Sequence, residues 1–187
     1  MIRVDTPLSE ATVRQLEAGQ KVLLSGVIYT GRDAAHKKLV EELEQSGRMP
    51  VDLAGQVIYY VGPCPAKPGW VIGSAGPTTS YRMDPYAPHL IRAGLRGMIG
   101  KGNRSPEVAR AMQECGAVYF LALGGAGALL AQRVTKAEVV AYPELGPEAI
   151  YRLEVADFPV IVGLDATGRD AYEEGRRRFA APAGAAR

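Results

Sequence analysis

Short apolar runs that each end near a polar, glycine-containing turn constrain this chain more than any other feature. A run too short for a helix, closed by turn residues and followed by a helix-start signal, reads as a buried strand feeding a helix. Val22-Leu23-Leu24-Ser25-Gly26-Val27-Ile28-Tyr29 stops at Thr30-Gly31-Arg32-Asp33. Val57-Ile58-Tyr59-Tyr60-Val61 is broken by residues 62–69, where three prolines cannot serve a central ladder. Residues 97–100 run into Lys101-Gly102-Asn103-Arg104, and residues 117–123 into Gly124-Gly125-Ala126-Gly127. Between them lie helix signals. Ser9 caps a predicted helix over about residues 10–18, with Leu8 and Val13 as a hydrophobic staple. A second helix begins near Ala34 and ends at Gly47, a third covers residues 86–95, and Ser105-Pro106-Glu107 opens a fourth that ends at Gly116. A short helix is predicted over residues 128–133, and strands over 70–73, 137–141, 150–155 and 158–164. The alternation predicts an α/β domain, but strands that follow one another without a helix argue against a simple doubly wound sheet.

A length of 187 residues fits one domain with a core of its own. The 22 basic and 20 acidic residues leave a net charge of +2, which supplies no general field for nucleic acid or an anionic membrane. No apolar run approaches the roughly 20 residues that span a bilayer, and the start of the chain lacks a signal-peptide pattern, so a cytoplasmic location is expected. Cys64 and Cys115 have neither metal-site nor redox-motif spacing and read as free thiols; no metal set is visible. Residues 1–172 form the expected domain, and residues 173–187, with Arg176-Arg177-Arg178, a flexible basic tail.

Positive charge can still be concentrated locally. Gly76-Pro77-Thr78-Thr79-Ser80-Tyr81-Arg82-Met83-Asp84 crowds hydroxyls, a guanidinium and a carboxylate beside two residues that shape the backbone. Loops beyond strand ends are where α/β sheets gather ligands, so Arg32, Arg82 and Lys101 are placed to converge on an anion. Taken singly, each is a surface cation or half of a local salt bridge. Lys101 lacks the spacing of a nucleotide P-loop, and Gly124 to Gly127 lacks the dinucleotide fingerprint and reads as a tight packing turn. His36 either touches the anion or caps its helix, and His89 reads as a surface or structural residue. Anion-binding groups are present without an independent catalytic apparatus, which suggests half a site.

The residues Thr30-Gly31-Arg32-Asp33-Ala34-Ala35-His36-Lys37, Gly62-Pro63, residues 73–80, Arg82-Met83-Asp84, residues 99–102, Tyr119, Gly124-Gly125, Glu148-Ala149, Phe158-Pro159 and Asp165 occur in a telling order. With that order and compatible spacing, the chain resembles the β subunit, or C-terminal domain, of class I iron-sulfur fumarases and L-tartrate dehydratases over residues 6–172. The resemblance implies a swivelling β/β/α domain with a mixed sheet and flanking helices. It implies a partner, a separate iron-sulfur α subunit or the N-terminal part of a fused chain, that holds a 4Fe-4S cluster through three cysteines. It also implies a hetero-oligomer such as α2β2. A start at Met1 and two distant cysteines lead to the expectation of a separately encoded β subunit. By position, Arg32, Arg82 and Lys101 resemble substrate-carboxylate ligands, with Thr79 beside them. Thr78 resembles the threonine of proton transfer, or else a hydrogen-bonding group. Asp33 and Asp84 resemble residues that orient the neighbouring arginines, and His36 lies near them. Cys64, in Gly-Pro-Cys-Pro, departs from the small residue common in relatives. The implied reaction is reversible hydration of fumarate to L-malate. Its alternatives are dehydration of L-tartrate and a noncatalytic module for a dicarboxylate or polyanion.

Overall fold

Side-chain alternation shows that the central strands are covered on both faces. Val57, Tyr59 and Val61 belong to one apolar cluster, while Ile58 and Tyr60 belong to another. Val118 and Phe120 alternate with Tyr119 in the same way. A computed structural model describes residues 1–180 and shows what the two clusters are. Strands β1 (Ile2–Thr6), β2 (Lys21–Thr30), β3 (Val57–Tyr59), β4 (Gly97–Gly100), β5 (Val118–Leu121), β6 (Val134–Ala141) and β7 (Ile150–Leu164) form one mixed sheet. β2, β3, β4 and β5 are parallel neighbours, and β7 runs antiparallel to both β5 and β2, so these five close into a barrel. β1 lengthens the β2 edge and β6 the β7 edge. The first cluster fills the barrel, with the Tyr59 and Phe158 rings packed edge to face at 5.4 Å. The second lies outside it, under α2 (Asp33–Ser46), α3 (Ala87–Arg92) and α4 (Pro106–Cys115). This is an α/β domain with a mixed sheet and flanking helices.

The predicted caps have physical partners. Ser9 accepts the Thr12 N–H before a shorter α1 (Glu10–Arg14), and Ser105 accepts the Val108 N–H at 3.4 Å. Gly47 and Gly116 close α2 and α4 with φ of 66° and 69°, a region glycine enters without strain. Other elements differ from expectation. β1 carries no local strand signal, because only Val4 of its five residues is buried. Residues 150–155 and 158–164 are one strand, bent by a bulge at Asp157, whose φ is 50° and whose N–H bonds Ser25 Oγ at 3.1 Å. Residues 70–73 form no strand; Trp70 closes a turn on Lys67, and only Gly73 and Ser74 reach Cys64. α5 (Gly127–Ala131) follows β5, and α6 (Ala171–Phe179) starts at Asp170, whose carboxylate accepts from Tyr172 and Glu173 N–H. Arg176, Arg177 and Arg178 occupy its last turn, where cations suit the helix dipole. Residues 181–187 of the expected tail lie outside the described residues.

Candidate active-site wall

Because β2 to β5 are parallel, their carboxyl ends share one end of the barrel, and the loops after them form a common rim. The Gly76–Asp84 segment is wedged into this rim. The Thr78 N–H bonds Tyr60 O at 2.7 Å, Thr79 pairs in parallel with Lys101, and the Ser80 N–H bonds Lys101 O at 2.9 Å. Thr78 to Ser80 therefore pass between the ends of β3 and β4. A Cβ on Gly100 would collide with Ser80 Oγ and stand 3.0 Å from the Tyr60 ring, so glycine is required at the end of β4. Gly127 meets the same segment from the β5 side, where a Cβ would lie 2.8 Å from Gly76 N. The glycine turn after β5 is thus a packing turn, as its missing fingerprint indicated.

Two arginines on the rim share one carboxylate. Arg82 Nε donates to Asp33 Oδ1 at 2.9 Å, and its Nη2 lies 2.9 Å from Oδ2. Asp33 thereby faces one edge of the guanidinium, whose side chain is 44% exposed. Arg32 lies 3.9 Å from the same Asp33 and 3.4 Å from Glu148 Oε1. Its side chain runs across Gly62, where a Cβ would approach within 3.2 Å. Glu148 also accepts the Ala34 N–H at 3.2 Å, satisfying one of the open donors at the start of α2. The resemblance assigns Glu148 no role. Its place 114 positions after Ala34 hides the contact from any spacing argument.

His36 lies behind this wall, fully buried. Its Nδ1 is 2.9 Å from Arg32 O, and its ring meets Tyr60 edge-on at 5.1 Å. Burial depresses its pKa to about 4, so it is neutral near pH 7 and Nδ1 carries the proton given to Arg32 O. Asp84 pairs with Arg104 rather than Arg82, at 2.7 Å, and its second oxygen takes the Ser105 N–H at 2.6 Å. Burial opposes charge on Arg104, but Tyr60 and Asp84 outweigh it and its pKa is raised. Lys101 is exposed, and among the described residues the Thr78 hydroxyl has no hydrogen-bond partner. The rim thus unites Arg32, Asp33, Arg82 and Glu148 at one corner and joins Thr78, Thr79 and Lys101 along the backbone. Cys64 is exposed and Cys115 partly buried, both as free thiols. Among the described residues no three His, Cys, Asp or Glu side chains are grouped to hold a metal ion, and no helix is long and apolar enough to cross a membrane.

Comparison with known sequences gives this rim a context: the family described as Fumarase C-terminus matches residues 1–175. The chain belongs to that family. It is 38% identical over 179 residues to a putative class I fumarate hydratase of Geobacillus stearothermophilus, covering 93% of this chain and 34% of that protein. It is 40% identical over 179 residues to the aerobic class I fumarate hydratase of Escherichia coli K12, covering 92% and 33%. Against the putative L(+)-tartrate dehydratase subunit beta of Methanocaldococcus jannaschii, identity is 40% over 173 residues and coverage 89% of each chain. This Fumarase C-terminus chain therefore spans about a third of the fumarate hydratases it matches and most of the β subunit.

Proposed function

We propose that the chain is the β subunit of a heteromeric iron-sulfur hydro-lyase that reversibly hydrates fumarate to L-malate. The observation that carries this reading is the pair of guanidiniums braced by the chain's own carboxylates on a rim shared with Thr78 and Lys101. Relatives named class I fumarate hydratase support the reaction, and the β-subunit relative supports its division between chains. Arg82 presents its outer edge to one substrate carboxylate, Arg32 and Lys101 add positive charge, and Thr79 lines the same segment. Asp33 and Glu148 keep the guanidiniums from rotating away. Removing a proton from carbon next to a carboxylate pushes negative charge onto its oxygens, and fixed cations stabilise that charge without reorganising. Thr78 is the proton-transfer group. A hydroxyl is a poor base alone, and no described residue hydrogen-bonds this one, so its activating group comes from the partner or the substrate.

Among the described residues no three His, Cys, Asp or Glu side chains gather to hold a metal ion. In this reading the 4Fe-4S cluster belongs to an α subunit, where it supplies Lewis-acid chemistry toward the substrate hydroxyl. Anaerobic purification of the tagged chain from its native cells is expected to bring down a brown, iron-containing partner. The complex should hydrate fumarate, and the chain alone should not. Full turnover by the iron-free chain would refute the proposal. Dehydration of L-tartrate is the second reading, favoured by the match over 89% of a β subunit of that name. Initial rates of the complex on malate and tartrate separate the two. Micromolar fumarate binding by the chain alone would instead indicate a noncatalytic module, because half a clamp binds weakly.

A further inference from the structure

Beneath the rim lies a buried polar cluster with no part in the chemistry above. The Tyr119 hydroxyl donates to Gly102 O at 2.9 Å and lies 2.8 Å from Ser80 Oγ. A phenol has one proton to give, so Ser80 is the donor to Tyr119. One side chain from β5 thus grips the Gly76–Asp84 segment and the loop after β4 together. Beside it, the Arg104 guanidinium lies 4.9 Å from the Tyr119 ring and 5.3 Å from the Tyr60 ring, with its side chain only 1% exposed. It donates to Asp84 at 2.7 Å and to the Tyr60 hydroxyl at 3.4 Å. Apolar side chains of equal volume often pack such a space as stably as a buried ion pair. What the pair adds is geometry, since Asp84 ends one rim segment and Arg104 belongs to the next.

We propose that Tyr119 and Arg104 are positioning residues that lock the segment carrying Thr78, Thr79 and Arg82 to the loop carrying Lys101. The lock sets the spacing between two parts of the catalytic wall. Its consequence for turnover rests on the functional reading above; the lock itself rests on the contacts alone.

Amide hydrogen exchange in the full chain tests the lock directly, in Tyr119→Phe and in Arg104→Lys, which keeps the charge but loses the planar stack. The Ser80 amide, bonded to Lys101 O, is expected to exchange about tenfold faster or more in each variant while the Val22 and Val118 amides keep their protection. Unchanged Ser80 protection in both variants, or an equal loss at all three amides, overturns the proposal. In the assembled enzyme, Tyr119→Phe is expected to lower kcat, and most of that loss should disappear in a Lys101→Met background, because a misplaced lysine no longer matters once it is removed. Equal losses in both backgrounds overturn the positioning role. If the exchange result stands but the wild-type complex hydrates no dicarboxylate, the functional reading fails and the lock remains.

Discussion

Replacing Arg82 with lysine separates charge from fork. In the wild type, Asp33 Oδ1 accepts from Arg82 Nε at 2.9 Å and Oδ2 lies 2.9 Å from Nη2, and in the proposed function the Nη1 edge receives the substrate. A lysine ammonium is one point charge on a flexible stem; it can face Asp33 or the substrate but cannot hold two planar carboxylates side by side. The variant therefore loses about one charge-assisted hydrogen bond to substrate, of about 1.5–3 kcal/mol, a drop of roughly 10- to 150-fold in kcat/KM. Folding should hardly notice, because the Arg82–Asp33 pair is 44% and 32% exposed and such pairs contribute about 0–1 kcal/mol. The assay is the initial rate of malate dehydration by the assembled complex, followed by ultraviolet absorbance of the unsaturated product, beside a thermal melt. A kcat/KM within twofold of wild type, with an unchanged melting temperature, would refute the bidentate contact.

Burial supplies a second prediction through His36, whose folded pKa of about 4 lies below its ordinary 6.5. Above pH 6.5 neither state binds the proton; as pH falls from 6.5 toward 4 the unfolded chain takes it and the folded chain does not. Stability therefore falls across that window, by about 3 kcal/mol from this residue. Urea midpoints of wild type and His36→Gln between pH 7 and pH 4.5 check it, and equal losses in both proteins would remove His36 as the cause. Asp84→Asn leaves the buried Arg104 without its counter-charge and is expected to destabilise the fold by about 3–5 kcal/mol. The more exposed Asp33→Asn should cost under about 1 kcal/mol. Matching urea midpoints for the two variants would contradict the burial argument.

Local signals identified most elements and the rim, because strand alternation, the Ser9 and Ser105 caps and the Gly47 and Gly116 stops depend on neighbouring residues alone. They failed where a distant partner decides the outcome. β1 exists because β2 offers it an edge, and the bulge that unites β7 is held by Ser25 from across the sheet. The same division runs through the site. Thr78, Arg82 and Lys101 stand out in sequence because polar residues beside strand-ending glycines have no packing explanation. Asp84, two residues from Arg82, was expected to serve it and instead serves Arg104, because one side chain faces the rim and the other the interior. By itself the sequence determined the α/β alternation, the polar and cationic residue types of the rim and the family. Only the tertiary structure decided barrel closure, the sharing of Asp33 by two arginines, the reach of Glu148 to α2 and the buried Tyr119–Arg104 lock. Those depend on long-range contacts, whose geometry no local spacing encodes.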